Sequence, residues 1–97
     1  MVNYPEKATY TYEDLVQILR ILRAPGGCPW DREQTHKSNR RNFLEEAYEA
    51  AEAFDLDDPE LMEEELGDML MQVLMNIHME EDAGRFTTDD VTDHVVR

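Results

Sequence analysis

The sequence is short of cysteine, of basic residues and of long apolar runs. Its one cysteine, Cys28, cannot form a disulfide within the chain, which is typical of a reducing compartment and favours a cytoplasmic protein. No apolar run approaches the roughly 20 residues that a transmembrane helix requires, and the amino terminus lacks a signal pattern. The sequence therefore predicts neither a membrane protein nor a secreted, disulfide-rich one.

Acidic residues greatly outnumber basic ones, and the formal net charge is −14. Of the 23 acidic residues, 18 follow Asn42, where Arg85 and Arg97 are the only basic ones. Because binding to a nucleic-acid backbone needs a basic surface, nucleic acid is not an expected partner. For most of these acidic residues solubility is the simplest explanation, and an anionic ligand would need a metal ion to screen the charge.

Helical spacing dominates the chain, which at 97 residues is one domain, residues 1–97. Residues 1–10 are expected to form a loose lead-in. Thr11 can cap a first helix, which should stop before the breaker cluster at 24–27, and the following loop should continue through Asp31. The apolar positions of this helix are Leu15, Ile18, Leu19 and Leu22.

Three further helices are predicted after this loop. The second begins between Thr35 and Asn42 and runs to about Phe54, with an apolar stripe at Phe43, Ala47, Ala51 and Phe54. The third has Asp58 as its N-cap and Pro59 in its first turn, and it continues to about Ala83, where Gly84 provides a stop. Thr87 or Thr88 caps a fourth helix with Val91 and Val95. Because no stretch alternates with a period of two, the fold class is all-α.

The third helix is apolar on nearly every side between Leu66 and Met79. A helix of this kind is enclosed by protein on most sides, and a chain of this length has too few other elements to enclose it. We therefore expect a homo-oligomer, a dimer or a tetramer, with this helix in the interface.

A narrow polar stripe interrupts this apolar surface. Its members follow helical spacing along one side of the third helix: Glu65, Asp68, Gln72 and Asn76. The second helix carries Glu46 and Glu49 next to the small residues Ala50 and Ala53, which would let another helix come close. Because the turn at 55–58 is short, the two helices should form an antiparallel hairpin that brings the four carboxylates together.

Four converging carboxylates suit a hard divalent cation, Mg²⁺ or Mn²⁺ in its place. Such an ion would offset their mutual repulsion, bind a triphosphate and lower the pKa of a bound water, with Glu45 as a candidate general base. From spacing alone, a solvated helix face with ordinary salt links is an equally good interpretation.

Five residues outside the acidic cluster are candidates for substrate binding. Trp30 either stacks on a nucleobase or anchors its loop on the first helix. His36 either hydrogen-bonds the ligand or has a capping or surface role. Lys37, Arg40 and Arg41 either neutralise phosphate oxygens or form salt links to nearby acidic residues.

Four segments of the sequence, in this order and at this spacing, resemble the MazG family of nucleoside triphosphate pyrophosphohydrolases. The resemblance extends from about Leu15 to Val96. The segments are Gly27-Cys28-Pro29-Trp30-Asp31-Arg32-Glu33-Gln34-Thr35-His36, Leu44-Glu45-Glu46-Ala47-Tyr48-Glu49, Glu64-Glu65-Leu66-Gly67-Asp68 and Gly84-Arg85-Phe86.

The resemblance implies an all-α, four-helix-bundle-like fold completed by oligomerisation. It also implies hydrolysis of nucleoside triphosphates between the α- and β-phosphates, which yields a nucleoside monophosphate and pyrophosphate. The family's acidic signature falls on Glu45, Glu46, Glu49, Glu65 and Asp68, and all of these except Glu45 match Mg²⁺ ligands.

The sequence departs from the family pattern in two places. Leu61, Met62 and Glu63 occupy a stretch where members often have a lysine or arginine, and the sequence ends at Arg97, where members usually continue into a basic segment. Both departures remove candidate phosphate-binding cations. The alternative function is therefore a non-catalytic helical dimerisation or regulatory module that retains the acidic motif.

Overall fold

The computed structural model describes residues 4–97 and contains five α-helices. These are α1 (Tyr12–Arg23), α2 (Pro29–Glu33), α3 (His36–Leu56), α4 (Pro59–Asp82) and α5 (Thr88–Val96). No strand occurs in residues 4–97, so the all-α prediction is confirmed. Residues 4–10 are outside any helix, as expected for a lead-in, and the remainder of that prediction, residues 1–3, lies outside the described residues.

The predicted hairpin is formed by α3 and α4, which pack against each other more extensively than any other pair of helices. Residues early in α3 contact residues late in α4, as in the hydrogen bond between His36 and Glu80, so the two helices are antiparallel. The connection is short because Asp57 ends α3 in the left-handed conformation (φ 51°), which aspartate tolerates better than most residues.

The side chains of α3 that pack against α4 are small or polar. Ala50 and Ala53 are buried there, as expected of residues that allow a close approach. The predicted apolar stripe is wrong in its second half, since Ala51 and Phe54 are exposed. The reason is helical phase, because Ala51 and Phe54 each lie one position, about 100° round the helix, beyond the buried Ala50 and Ala53.

The helix ends follow the predicted capping chemistry. Thr11 and Thr87 each accept a hydrogen bond from the backbone three residues on, within a reciprocal capping box. Asp58 accepts from the backbone of Leu61 at 3.3 Å, with Pro59 in the first turn of α4. Gly84 follows the end of α4 with φ 72°, a conformation that a residue with a Cβ rarely adopts.

The segment predicted to be a loop through Asp31 contains α2, which the sequence analysis missed. Pro29 begins this five-residue helix, and the Arg23 guanidinium donates to the carbonyl of Asp31 at 2.6 Å. A helix this short has too few residues to show apolar periodicity, and its position is fixed by a contact from α1. Neither signal is visible in the local sequence.

The core lies between α1 and the carboxyl-terminal half of α4. It is formed by side chains that are buried almost completely: Val16, Leu19, Leu74, Met75 and Ile77. By contrast, α1 does not cover the amino-terminal half of α4, where Leu66 is 49 % exposed and Leu70 38 %. The helix that looked apolar on nearly every side is therefore enclosed by this chain along only half of its length.

Glu81 links three helices at one edge of this core. Its carboxylate accepts two hydrogen bonds from the Arg20 guanidinium, each 3.1 Å, and one from the backbone of Thr88 at 2.7 Å. Burial raises the pKa of Glu81, but the hydrogen bonds from Arg20 and Thr88 outweigh it and bring the pKa to about 2. This charged group is therefore fully paired and holds α1, α4 and α5 together.

His78 is a polar member of the same region. It is 1 % exposed, and neither ring nitrogen has a hydrogen-bond partner among the described residues. Burial lowers the pKa of His78, because a protonated ring would lose its hydration there. The imidazole is accordingly neutral and packs as a flat side chain between helices.

Replacing Leu74 by alanine tests where the core lies. We expect Leu74→Ala to lower the free energy of unfolding by about 2–5 kcal/mol, because this side chain is only 2 % exposed and its removal leaves a cavity. Leu56→Ala is the matched control: Leu56 is 61 % exposed, and its loss should change stability by no more than about 0.5 kcal/mol. Urea unfolding measures both, and equal effects would contradict this description of the core.

Candidate active site

The α3–α4 hairpin brings together the four acidic residues that were predicted to converge. Carboxylate oxygens of Glu46, Glu49 and Glu65 lie within 4.8 Å of one another. Carboxylate oxygens of Glu64, Glu65 and Asp68 form a second group and also lie within 4.8 Å of one another. Glu65 therefore joins the acids of α3 to those of α4 in one cluster, which we call the acidic cluster: Glu46, Glu49, Glu64, Glu65 and Asp68.

Glu65 is the most enclosed member of the acidic cluster. The residue is only 8 % exposed, and its Oε2 is buried without a hydrogen-bond partner in the described part of the chain. Burial, reinforced by the nearby carboxylates of Glu49, Asp68 and Glu64, raises the pKa of Glu65 from 4.5 to about 7. Without a cation nearby, this carboxyl group is therefore about half protonated at neutral pH.

Glu46 is in a similar environment on the opposite helix. Its Oε2 is also buried and unpartnered, and burial together with the charges of Glu49 and Asp68 raises its pKa. Within residues 4–97 no lysine or arginine forms an ion pair with any member of the acidic cluster. Unpaired oxygens at this spacing match the carboxylate chemistry that hard divalent cations require.

The polar stripe of α4 continues away from the acidic cluster along the seam with α3. The Asn39 side-chain amide donates to Gln72 Oε1 at 2.7 Å, and both residues are buried. Asn76 in turn pairs with the His36 ring at 2.8 Å. All four predicted members of the stripe thus face α3, and the hydrogen bonds of Gln72 and Asn76 fix the register that aligns the acids.

Glu45 lies beside the acidic cluster but outside its compact groups. Its carboxylate accepts a hydrogen bond from the Arg41 guanidinium at 3.1 Å, one turn earlier on α3, and both side chains are largely exposed. For Arg41, the salt-link interpretation therefore describes its contact in this chain. The proposed role of Glu45 as a general base stays a prediction.

Lys37 and Arg40 are not brought to the acidic cluster. At about 100° per residue, Lys37 lies on the opposite side of α3 from Glu46. Both basic side chains line a separate groove, together with His36, Phe43, Leu44 and Asn76, and no acid of the cluster lines it. A role for them in binding the substrate phosphates stays a prediction, with no contact in this chain to support it.

Trp30 and His36 lie in different environments. Trp30 is 61 % exposed on α2, so the loop-anchor interpretation does not hold and the ring is accessible for stacking. His36 bridges the start of α3 to α4, with its Nδ1 2.8 Å from Asn76 Oδ1 and its Nε2 2.6 Å from Glu80 Oε2. His36 is exposed, as the surface alternative expected, and it also links the two helices of the hairpin.

Two acidic residues at or near the site were missed by the sequence reasoning. Glu64 belongs to the acidic cluster, and its position next to Glu65 in the quoted motif was an available signal. Glu80 pairs with both His36 and Arg85, and these hydrogen bonds bring its pKa to about 2. No sequence signal pointed to this pairing, because His36 and Glu80 are 44 positions apart.

The fold and the acidic cluster together define a class of protein: an all-α protein with carboxylates paired across a helical hairpin. Comparison with known proteins is specific. Residues 34–97 match the model of the MazG nucleotide pyrophosphohydrolase domain, and the chain belongs to this family. The matched range contains the whole acidic cluster.

Three relatives illustrate the similarity. The chain is 49 % identical over 87 residues to an uncharacterized Bacillus subtilis protein, YabN, a match that covers 89 % of this chain and 18 % of YabN. It is 44 % identical over 86 residues to the nucleoside triphosphate pyrophosphohydrolase/pyrophosphatase MazG of Thermotoga maritima, a match that covers 89 % of this chain and 34 % of that protein. It is 41 % identical over 78 residues to the Escherichia coli nucleoside triphosphate pyrophosphohydrolase, a match that covers 79 % of this chain and 30 % of that protein.

The matched segment thus accounts for about a third or less of each of these relatives. Among the described residues, no helix combines the length and the apolar character that crossing a membrane would require.

The raised pKa of Glu65 predicts a pH dependence of stability in buffer without divalent cations. Because the folded state holds this proton more tightly than the unfolded state, its contribution to stability is greatest below about pH 4.5 and declines as the pH rises towards 7. Glu65→Gln should flatten the decline over this range in urea unfolding. Glu52→Gln, on an exposed residue of α3 outside the acidic cluster, should keep the wild-type slope, and equal slopes in all three proteins would contradict the pKa assignment.

Proposed function

We propose that the chain hydrolyses nucleoside triphosphates between the α- and β-phosphates in a reaction that depends on Mg²⁺, for which Mn²⁺ can substitute. The observation that carries the proposal is the pair of buried, unpartnered oxygens of Glu46 and Glu65, held among three further carboxylates that form no ion pair with a lysine or arginine in residues 4–97. Such an arrangement is costly by itself and favourable around a doubly charged ion.

Glu46, Glu49, Glu65 and Asp68 are the residues that would hold the ion. Glu65 belongs to both compact groups and so connects the carboxylates of α3 to those of α4, and Asp68 also acts on the charge of Glu46. When bound, Mg²⁺ would supply the positive charge that draws the triphosphate to an otherwise repulsive surface and polarises its phosphate oxygens. Glu64 adds a carboxylate at the rim of this set.

We assign the role of general base to Glu45. It is next to the acidic cluster, it is not a member of it, and the Arg41 guanidinium holds its carboxylate from the side. In the proposed reaction Glu45 accepts the proton of the attacking water, while Trp30 offers an exposed aromatic face for the base.

The names of the relatives support the choice of substrate and bond. The proteins from Thermotoga maritima and Escherichia coli are both named as nucleoside triphosphate pyrophosphohydrolases. A nucleoside triphosphate releases pyrophosphate only when the bond between its α- and β-phosphates breaks, and the other product is then a nucleoside monophosphate.

Pyrophosphate release from a set of ribo- and deoxynucleoside triphosphates tests this proposal. We expect turnover with Mg²⁺, none with EDTA, and a loss of at least about a hundredfold in Glu46→Gln and Asp68→Asn, because each change removes a proposed ligand of the ion. Glu52→Gln also removes one acid from α3, but outside the acidic cluster, and should retain wild-type turnover.

Two results would contradict the proposal. Unchanged turnover in Glu46→Gln and Asp68→Asn would refute the site. The absence of pyrophosphate release with every substrate, from a protein that is folded, would favour the alternative of a non-catalytic helical module.

We also propose that the chain forms a homo-oligomer, a dimer or a tetramer, through the half of α4 that α1 leaves uncovered. Leu66, Leu70 and Met71 are exposed there. Exposed apolar side chains grouped on one helix are typical of a surface that another protein chain covers.

Light scattering after size-exclusion chromatography tests this interface. The wild type should elute as an oligomer at micromolar concentration, and Leu70→Asp should elute as a monomer, because a carboxylate would be buried without a partner. Leu56→Asp, at an exposed leucine near the end of α3, is the control and should leave the oligomer intact. A monomeric wild type would refute the proposal.

A further inference from the structure

The pairing of the basic residues is uneven. The sequence has nine lysines and arginines, and within residues 4–97 six of them form ion pairs with acidic side chains: Lys7, Arg20, Arg23, Arg41, Arg85 and Arg97. The other three, Arg32, Lys37 and Arg40, have no such partner in the described part of the chain. The protein has 23 acidic residues, yet none in the described part of the chain lies within ion-pairing distance of these three side chains.

Two of these three unpaired cations lie at the same place. Lys37 and Arg40 are one turn apart on α3 and line a groove of about 500 Å³, which is within the range of small-molecule sites. The apolar part of the lining is formed by Phe43 and Leu44, and Leu44 is 41 % exposed. The groove thus combines an aromatic ring, an aliphatic side chain and two free positive charges.

The remaining wall of the groove is rigid and polar. His36 is held between Asn76 and Glu80 of α4, and Glu80 is held in turn by Arg85. Asn76 Oδ1 and the Glu80 carboxylate accept hydrogen bonds from the His36 ring and raise its pKa, which increases the cationic fraction of the ring near neutral pH. Every charged group that lines the groove is therefore basic.

We propose that this groove is a second ligand site, which binds a small aromatic phosphate of the size of a nucleoside monophosphate. The ring packs on Phe43 and Leu44, and the phosphate accepts hydrogen bonds from Lys37 and Arg40. The site does not rest on the proposed hydrolysis, because the groove shares no lining residue with the acidic cluster.

The chemistry of the lining favours a small aromatic anion as the occupant. Lys37 and Arg40 require an anionic group, and Phe43 and Leu44 require an apolar one. An aromatic phosphate meets both requirements within the volume of the groove. The ion proposed for the acidic cluster plays no part in this binding, so the groove should function when divalent cations are removed.

Calorimetric titration of the full chain with adenosine monophosphate in EDTA tests the proposal. We expect binding with one site per chain, weakened at least about tenfold by Lys37→Ala or Arg40→Ala, since each removes a charged hydrogen-bond donor. Arg32→Ala is the matched control, because it removes an unpaired cation outside the groove, and it should change the affinity less than twofold. Glu46→Gln should also leave the affinity unchanged.

Two further ligands test the contributions of the basic side chains and of the apolar side chains separately. Adenosine lacks the phosphate and inorganic phosphate lacks the ring, so each should bind at least about tenfold more weakly than adenosine monophosphate. No binding of adenosine monophosphate at millimolar concentration would overturn the proposal. So would an equal loss of affinity in Arg32→Ala and Lys37→Ala, which would indicate unspecific attraction to positive charge.

A last outcome concerns self-association. If light scattering showed that Lys37→Ala converts an oligomeric wild type to a monomer, the groove would be a contact between copies of the chain, and the proposal would again be overturned. All the binding measurements are made without divalent cations. A negative result in them therefore does not bear on the pyrophosphate-release experiment.

Discussion

The close approach of α3 and α4 is the constraint on which the rest of the structure depends. Small side chains at Ala50 and Ala53 permit it, and the buried hydrogen bond between Asn39 and Gln72 fixes its register. In that register the carboxylates of Glu46 and Glu65 lie within 4.8 Å of each other with one oxygen of each buried, so their like charges repel strongly. The hairpin therefore stores an unfavourable interaction that a cation would relieve.

Much of this arrangement is visible in the sequence because it depends on helical periodicity. Caps at Thr11, Asp58 and Thr87 mark helix starts, and the three-residue spacing of Glu65 and Asp68 places both on one side of α4. Because the connection between α3 and α4 is short, the two helices are expected to pack as an antiparallel hairpin. The convergence of the acids thus follows from local rules, whereas their role in catalysis is a proposal.

What the sequence could not reveal depends on contacts between distant residues. Short α2 is positioned by Arg23, and His36 is oriented by Glu80, 44 positions away. Proximity along the chain was also misleading: Lys37 precedes the acids closely in sequence, yet the turn of the helix directs it to the opposite side of α3. Nearness in sequence predicts a shared site only when the helical phase agrees.

The central claim is that the acidic cluster is a site for a divalent cation. Anomalous diffraction from crystals of the protein soaked in Mn²⁺ measures this directly. The account predicts a strong anomalous peak within about 2.5 Å of carboxylate oxygens from both α3 and α4, with Glu65 among them. A well-ordered structure with no peak between these helices, or with a peak only elsewhere on the acidic surface, would contradict it.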